Sequence, residues 1–164
     1  MPDALAGEID RLYALPLEEF TAERDQLAKR LREEDRDSAD AIKALKKPST
    51  AAWAVNQVQR DRPDEVRELI DVTEELHRVY EKLSSAGARE RLEEAAEMQR
   101  KLVRSLVRCA AQLLEAGGHP ASDATLGKVA DTLRAAGLDS DVREQVAQGR
   151  VVKEQRAAGL GPLG

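Results

Sequence analysis

Between Pro63 and Ala116 the apolar residues return at every third or fourth position and do not alternate, which commits this part of the chain to helix. In RPDEVRELIDVTEELHRVYEKL, the residues Val66, Leu69, Ile70, Thr73, Leu76, Val79, Tyr80 and Leu83 share one helical face. The SSAG stretch, Ser84 to Gly87, interrupts the run as a turn. A second run from Ala88 to Ala116 places Leu92, Ala95, Ala96, Leu102, Val103, Leu106, Cys109, Ala110, Leu113 and Leu114 inward. At about 1.5 Å per residue it spans about 40 Å. So short a connection makes the two helices antiparallel, and the spacing predicts a long helical hairpin as the frame of the molecule.

The flanking segments carry the same period on a smaller scale. Pro2 to Tyr13 reads as a short helix stopped at Leu15 and Pro16. Leu17 to Glu34 reads as an amphipathic helix with Phe20, Leu27 and Leu31 inward. A third helix, capped by Asp37 or Ser38, carries Ala41, Ile42 and Leu45; it closes at Lys46 and Lys47, where cations are favoured, and Pro48 forbids continuation. Ser49 caps a helix running to Arg60. After Gly117, Gly118, His119 and Pro120, Ser122 caps a helix with Leu126, Val129, Ala130 and Leu133, ended by Gly137. Asp139 or Ser140 starts the last short helix, with Val142 and Val146 inward.

The expected fold is all-α, a multi-helix bundle of about seven to eight helices with a long antiparallel central pair. Residues 1–164 are read as a single helical domain. Within it, 1–62 is an N-terminal helical subunit with Trp53, 63–116 the hairpin, 122–149 two short C-terminal helices, and 150–164 a tail, either frayed or docked by Val151 and Val152.

A chain of 164 residues can bury a sizeable core, and Trp53, Tyr13, Tyr80 and Phe20 are its only aromatics, so Leu, Val and Ala must build that core. Cys109 is the sole cysteine; no intrachain disulfide or cysteine zinc cluster can form, and a reducing cytoplasm is the expected compartment. The N-terminus carries acids early and lacks a secretory apolar run, and no stretch approaches the roughly 18 apolar residues of a membrane span. A soluble cytoplasmic protein without membrane contact is expected. The net charge of -5 argues against a nucleic-acid coat and leaves room for a local basic patch.

Little in the chain suggests catalysis. His77 has Glu74 and Glu81 within a turn and is expected to pair with a neighbouring glutamate; His119 is expected to cap the carbonyls of the long helix. No HExxH occurs, Glu-x-x-His does not recur, and no glycine-rich phosphate loop opens a helix, so no metal, cofactor or catalytic residue is expected. Cys109 reads as a small buried hydrophobe. Arg100, Arg104 and Arg108, joined by Lys101, line one face at i, i+4, i+8. They are either a solvated face answered by Glu93, Glu94 and Glu97, or a docking strip for an acidic partner or a nucleic-acid backbone.

The most distinctive stretch is KKPSTAAWAVNQVQR. Ala41 to Arg62 carries Lys43, Lys46, Lys47, Arg60 and Arg62 against Asp61, a local charge of +4 and a candidate contact for an anion or nucleic acid. Two short helices about a Lys-Lys-Pro turn could form a helix-turn-helix, with Asn56, Gln57, Gln59 and Arg60 suited to base edges. Periodicity offers a competing reading. Trp53 and Asn56 lie one turn apart and would share a buried structural seam, with the Asn56 amide bonded to a backbone carbonyl or to Arg24 or Asp25, and with Trp53 organising the junction of the first four helices.

The runs LYALPLEEFTAERDQLAKRL, AIKALKKPSTAAWAVNQVQRDRPDEV and VREQVAQGR resemble an actinobacterial family of all-helical proteins to which no activity is assigned. The match rests on Leu15, Pro16, Phe20, Thr21, Ala22 and Arg24, then on Lys47, Pro48, Ser49 or Thr50, Trp53 and Asn56. Members continue into a charged helical region, so the resemblance implies a short or truncated member, the head of a coiled-coil or scaffold protein. The function favoured is a non-enzymatic protein-interaction or scaffold module with a protein partner or a homo-oligomeric state. The alternative is a DNA-associated helix-turn-helix-like protein using residues 41–62.

Overall fold

Pro63 fixes the first turn of the hairpin's first helix without wasting a backbone donor, and Asp64 and Glu65 favour the helix dipole there. Gly87, at φ +75° in the left-handed region, turns the chain into the second helix. The structure is a computed structural model that describes residues 2–156, the side chains of Pro2 and Asp3 excepted; the rest of the predicted tail lies outside the described residues. Its elements are α1 (Pro2–Ala14), a 3-10 turn (Leu17–Glu19), α2 (Phe20–Leu31), α3 (Arg36–Lys43), α4 (Thr50–Asp61), α5 (Pro63–Glu81), α6 (Ala88–Ala116), α7 (Asp123–Ala136) and α8 (Ser140–Gln148). The chain is all-α, and among the described residues there is no strand.

The hairpin is antiparallel in the register the side chains report. Ser105 Oγ donates to Glu65 at 2.8 Å and Gln99 Nε2 to Thr73 Oγ1 at 3.1 Å, while Cys109 Sγ donates to Asp61, the last residue of α4, at 3.3 Å. Ser49, Ser122 and Asp139 cap α4, α7 and α8. The cap of α3 differs from expectation. Asp35, extended at φ -149°, accepts from the Ser38 backbone N–H, so Asp37 and Ser38 already lie inside the first turn. The helix expected from Leu17 to Glu34 begins instead as a 3-10 turn and ends at Leu31.

Two apolar clusters hold the helices together. The smaller joins α1, α2 and α3 through Leu12, Tyr13, Phe20, Leu27, Ala28 and Ile42, with Val152 packed against it; the Tyr13 and Phe20 rings lie 5.2 Å apart. The larger lies between the hairpin and α4, α7 and α8, and includes Val55, Leu69, Leu106, Val129, Leu133 and Val146. Burying Leu69 or Leu106 completely contributes about 2 kcal/mol each. α4 is covered almost all round, since Ala51 to Asn56 and Val58 are buried. It is the central helix, and the hairpin is a wall.

The hairpin outruns that core. Gly137, just past α7, sits against Thr73, and Arg143 of α8 pairs with Glu74 at 3.0 Å at the same level. Val79, Ala88 and Ala95 stay buried between the two long helices, whereas Tyr80 and Leu83, expected inward, are 53% and 47% exposed. The helix expected to reach Leu83 ends at Glu81, so Leu83 stands in the turn beyond it, and no third helix reaches far enough to cover Tyr80. Met98 is 46% exposed on α6.

Candidate functional site

The stretch from Lys46 to Arg60 is built from the cap outward. Ser49 accepts from the Ala52 N–H at 3.1 Å while its hydroxyl donates to Glu154 at 2.6 Å, and its own N–H reaches the Val152 carbonyl at 2.9 Å. One turn on, Trp53 Nε1 donates to the Leu15 carbonyl at 2.9 Å. The indole packs on the His119 ring, 5.5 Å between centroids, and leaves space at Gly117 for a backbone but hardly for a methyl, which would sit 3.1 Å from Trp53 Cη2.

Asn56 is fully buried, and both ends of its amide are used. Nδ2 donates to the Val151 carbonyl at 2.9 Å, and the Val151 N–H donates to Oδ1 at 2.8 Å. The expected partners Arg24 and Asp25 are elsewhere. Arg24 donates to the Leu45 carbonyl and pairs with Asp25, so it ties α2 to the end of α3 and is no part of a seam with Trp53 and Asn56. Nor does Trp53 organise the first four helices. It stands in the larger core and links Leu15 to the end of α6.

The polar residues suited to base edges are turned to backbone carbonyls. Gln57 donates to Tyr13 at 2.8 Å and Gln59 to Ala147 at 3.3 Å. Arg60 spreads its guanidinium over the carbonyls of Asn56, Gly149 and Asp10 at 3.0 to 3.2 Å. Burial lowers its pKa, with Arg150 acting in the same direction and Asp10 opposing. Arg60 is thus an internal strut rather than an anion contact. Arg150 completes the arrangement with two bonds to Asp10, at 2.8 and 3.0 Å, and one to the Ala6 carbonyl.

The other cations of the candidate patch are divided. Lys43 pairs with Asp25 at 2.9 Å, and Arg62 with Glu65 at 2.9 Å, a hydrogen bond that raises the Arg62 pKa. Lys46 and Lys47 are exposed, and neither pairs with a described residue. On α6, Arg100 is held by Glu97 at 2.6 Å. Arg104, Arg108 and Lys101 are exposed and form no ion pair among the described residues.

The groups with chemical potential do not converge. His77 pairs with Glu81 at 3.2 Å on the surface of α5. His119 does not cap with its side chain: its backbone N–H bonds the Leu114 carbonyl, and Nε2 lies 2.7 Å from Glu18 without forming an aligned hydrogen bond. Cys109 is buried, and its thiol is pushed up to about 11, first by burial and then by the hydrogen bond to Asp61. Among the described residues no three His, Cys, Asp or Glu side chains are placed to hold a metal ion, and no helix is long and apolar enough to cross a membrane.

The sequence leaves the carboxyl-terminal segment open between fraying and docking. Arg150 to Gln155 crosses α4 and α7, with the Gln155 N–H on Thr132 Oγ1 at 2.9 Å and Lys128 on Glu154 at 3.5 Å. Of the two alternatives for the tail, docking describes residues 150–155, with Val151 and Val152 the signal for it in the sequence. Lys46 to Arg60 is therefore a clasp holding Tyr13 to Leu15, His119 and Val151 to Glu154 against one helix. No protein-family model, curated protein or solved structure matches the chain, so the family resemblance of Leu15 to Asn56 and of VREQVAQGR rests on those residues alone.

Proposed function

We propose that the protein is a non-enzymatic protein-interaction module that presents the free half of its α5 and α6 hairpin. One observation carries the reading: Tyr80, on the exposed stripe of α5, and Leu83, in the turn that follows it, are half exposed where no other helix covers them. Apolar groups of that size in water favour burial against a partner, and a tyrosine brings both a ring and a hydroxyl to such a contact. The remaining chemistry agrees with a binding role. The histidines are spent on Glu81 and on the face of Trp53, and the one thiol is held protonated.

The test compares the wild-type chain with Tyr80→Ser and Leu83→Ser combined, as bait in a pull-down from native cytoplasm and in light scattering. A partner or oligomer that the wild type holds and the variant loses is the expected result. A wild type that is monomeric and retains nothing overturns the reading.

Nucleic-acid contact is the second reading, supported by Lys46 and Lys47, which stand exposed beside the start of α4. A mobility shift at low salt that weakens steeply as salt rises, with a shallower slope in Lys46→Ala/Lys47→Ala, is its expected outcome. No shift at low salt sinks it.

A further inference from the structure

The outward face of α6 carries a charge order that its own helix explains only at Glu97, which Arg100 holds at 2.6 Å. Glu90, Glu94, Glu97, Lys101, Arg104 and Arg108 follow one another at alternating spacings of four and three residues, so they form one stripe, and all six are exposed. Its first half is entirely acidic and its second entirely basic. Like charges thus neighbour each other within each half, an arrangement that works against the helix. The helix dipole accounts for acids at the start, but it would place the bases in the last turn. That turn has none, and Glu115 is there instead.

A second copy of the same helix answers every one of these charges. Glu90 and Arg108 lie nine residues before and after Gln99, Glu94 and Arg104 five, and Glu97 and Lys101 two. Laid antiparallel about a two-fold axis at Gln99, two copies of α6 place each acid opposite a base, and symmetry repeats each pair. A parallel copy would set acid against acid. Met98 adds an apolar centre: it lies four residues after Glu94 and three before Lys101, borders the stripe at its midpoint, and is 46% exposed.

We infer that this face of α6 is a self-association surface on which a second copy of the chain docks antiparallel. The inference rests on the reading of the protein as an interaction module and gives it a second contact face, on α6, whose partner is another copy of the chain.

Sedimentation velocity on the full chain, over concentration and salt, tests it with three charge variants. The wild type should dimerise in low salt, with a Kd that rises at least about tenfold as screening shortens the Debye length from about 30 Å to about 3 Å. Lys101→Glu/Arg104→Glu/Arg108→Glu makes the stripe wholly acidic, and Glu90→Lys/Glu94→Lys/Glu97→Lys makes it wholly basic; each alone should be monomeric, and their mixture should form a heterodimer. All six reversals together should restore the homodimer, which separates loss of docking from loss of fold. A wild type monomeric at millimolar concentration in low salt, a dimer untouched by either triple reversal, or a mixture that stays monomeric overturns the inference. If the wild type is monomeric yet retains another protein through Tyr80 and Leu83, self-docking fails and the interaction reading survives; if it retains nothing, both fail.

Discussion

The Asn56 carboxamide and the Val151 peptide exchange two hydrogen bonds, 2.9 Å one way and 2.8 Å the other, across 95 residues of chain and out of reach of water. Asn56→Ala leaves a buried donor and a buried acceptor unpaired and should cost about 2 to 4 kcal/mol in urea unfolding. Asn56→Asp sets a carboxylate against the Val151 carbonyl. Burial raises the pKa of that new acid above its ordinary value of about 3.9, so the variant's deficit should shrink as pH falls and the acid becomes a donor. A deficit that does not change with pH argues against the pairing.

Glu154 has a pKa held below the ordinary 4.5, chiefly by the Ser49 hydroxyl, then by its own backbone N–H, with Lys128 adding to this and burial opposing. A lowered folded value means that the contribution is complete above the unfolded pKa and is lost as pH falls through the folded one. Glu154→Gln should therefore be less stable than the wild type at pH 7 and approach it below pH 4.5. Parallel stability curves for the two proteins would rule the contact out as a contributor.

Cys109, with its thiol near 11, should resist Ellman's reagent in the folded protein at pH 8. Its thiolate fraction there is about two orders of magnitude below that of an ordinary cysteine, and burial slows the reagent further. Reaction should accelerate sharply on unfolding. Rapid labelling of the native chain would show that the hydrogen bond to Asp61 does not hold.

A methyl group at Gly137 would collide with the Thr73 side chain where α7 meets α5. Gly137→Ala should destabilise the fold by about 1 to 3 kcal/mol, and its cost should fall in a Thr73→Ala background, because the two changes compete for the same space. Additive costs would show that the two helices are not in close contact.

Helical repeat is a local property, which is why the hairpin and the Ser49, Ser122 and Asp139 caps are legible in the order of residues alone. Exposure is not local. Leu69 and Tyr80 stand on the same stripe, yet one is fully buried and the other half exposed, because α7 stops at the level of Thr73. Charge was misleading for a similar reason. Arg60 counts toward a basic patch in the sequence, but carbonyls from Asp10 and Gly149, far away along the chain, surround its guanidinium. The buried partner of Asn56 carried no signal, since a backbone amide at Val151 looks like any other.

The clasp also sets a timetable. During synthesis Asn56 leaves the ribosome 95 residues ahead of Val151, which at about 5 to 20 residues per second is a delay of about 5 to 20 seconds. Until then α4 has no carboxyl-terminal segment to close over it, and its amide is served by water. Closure is the final event of folding on this schedule, so Asn56→Ala should accelerate unfolding and leave the refolding rate nearly unchanged.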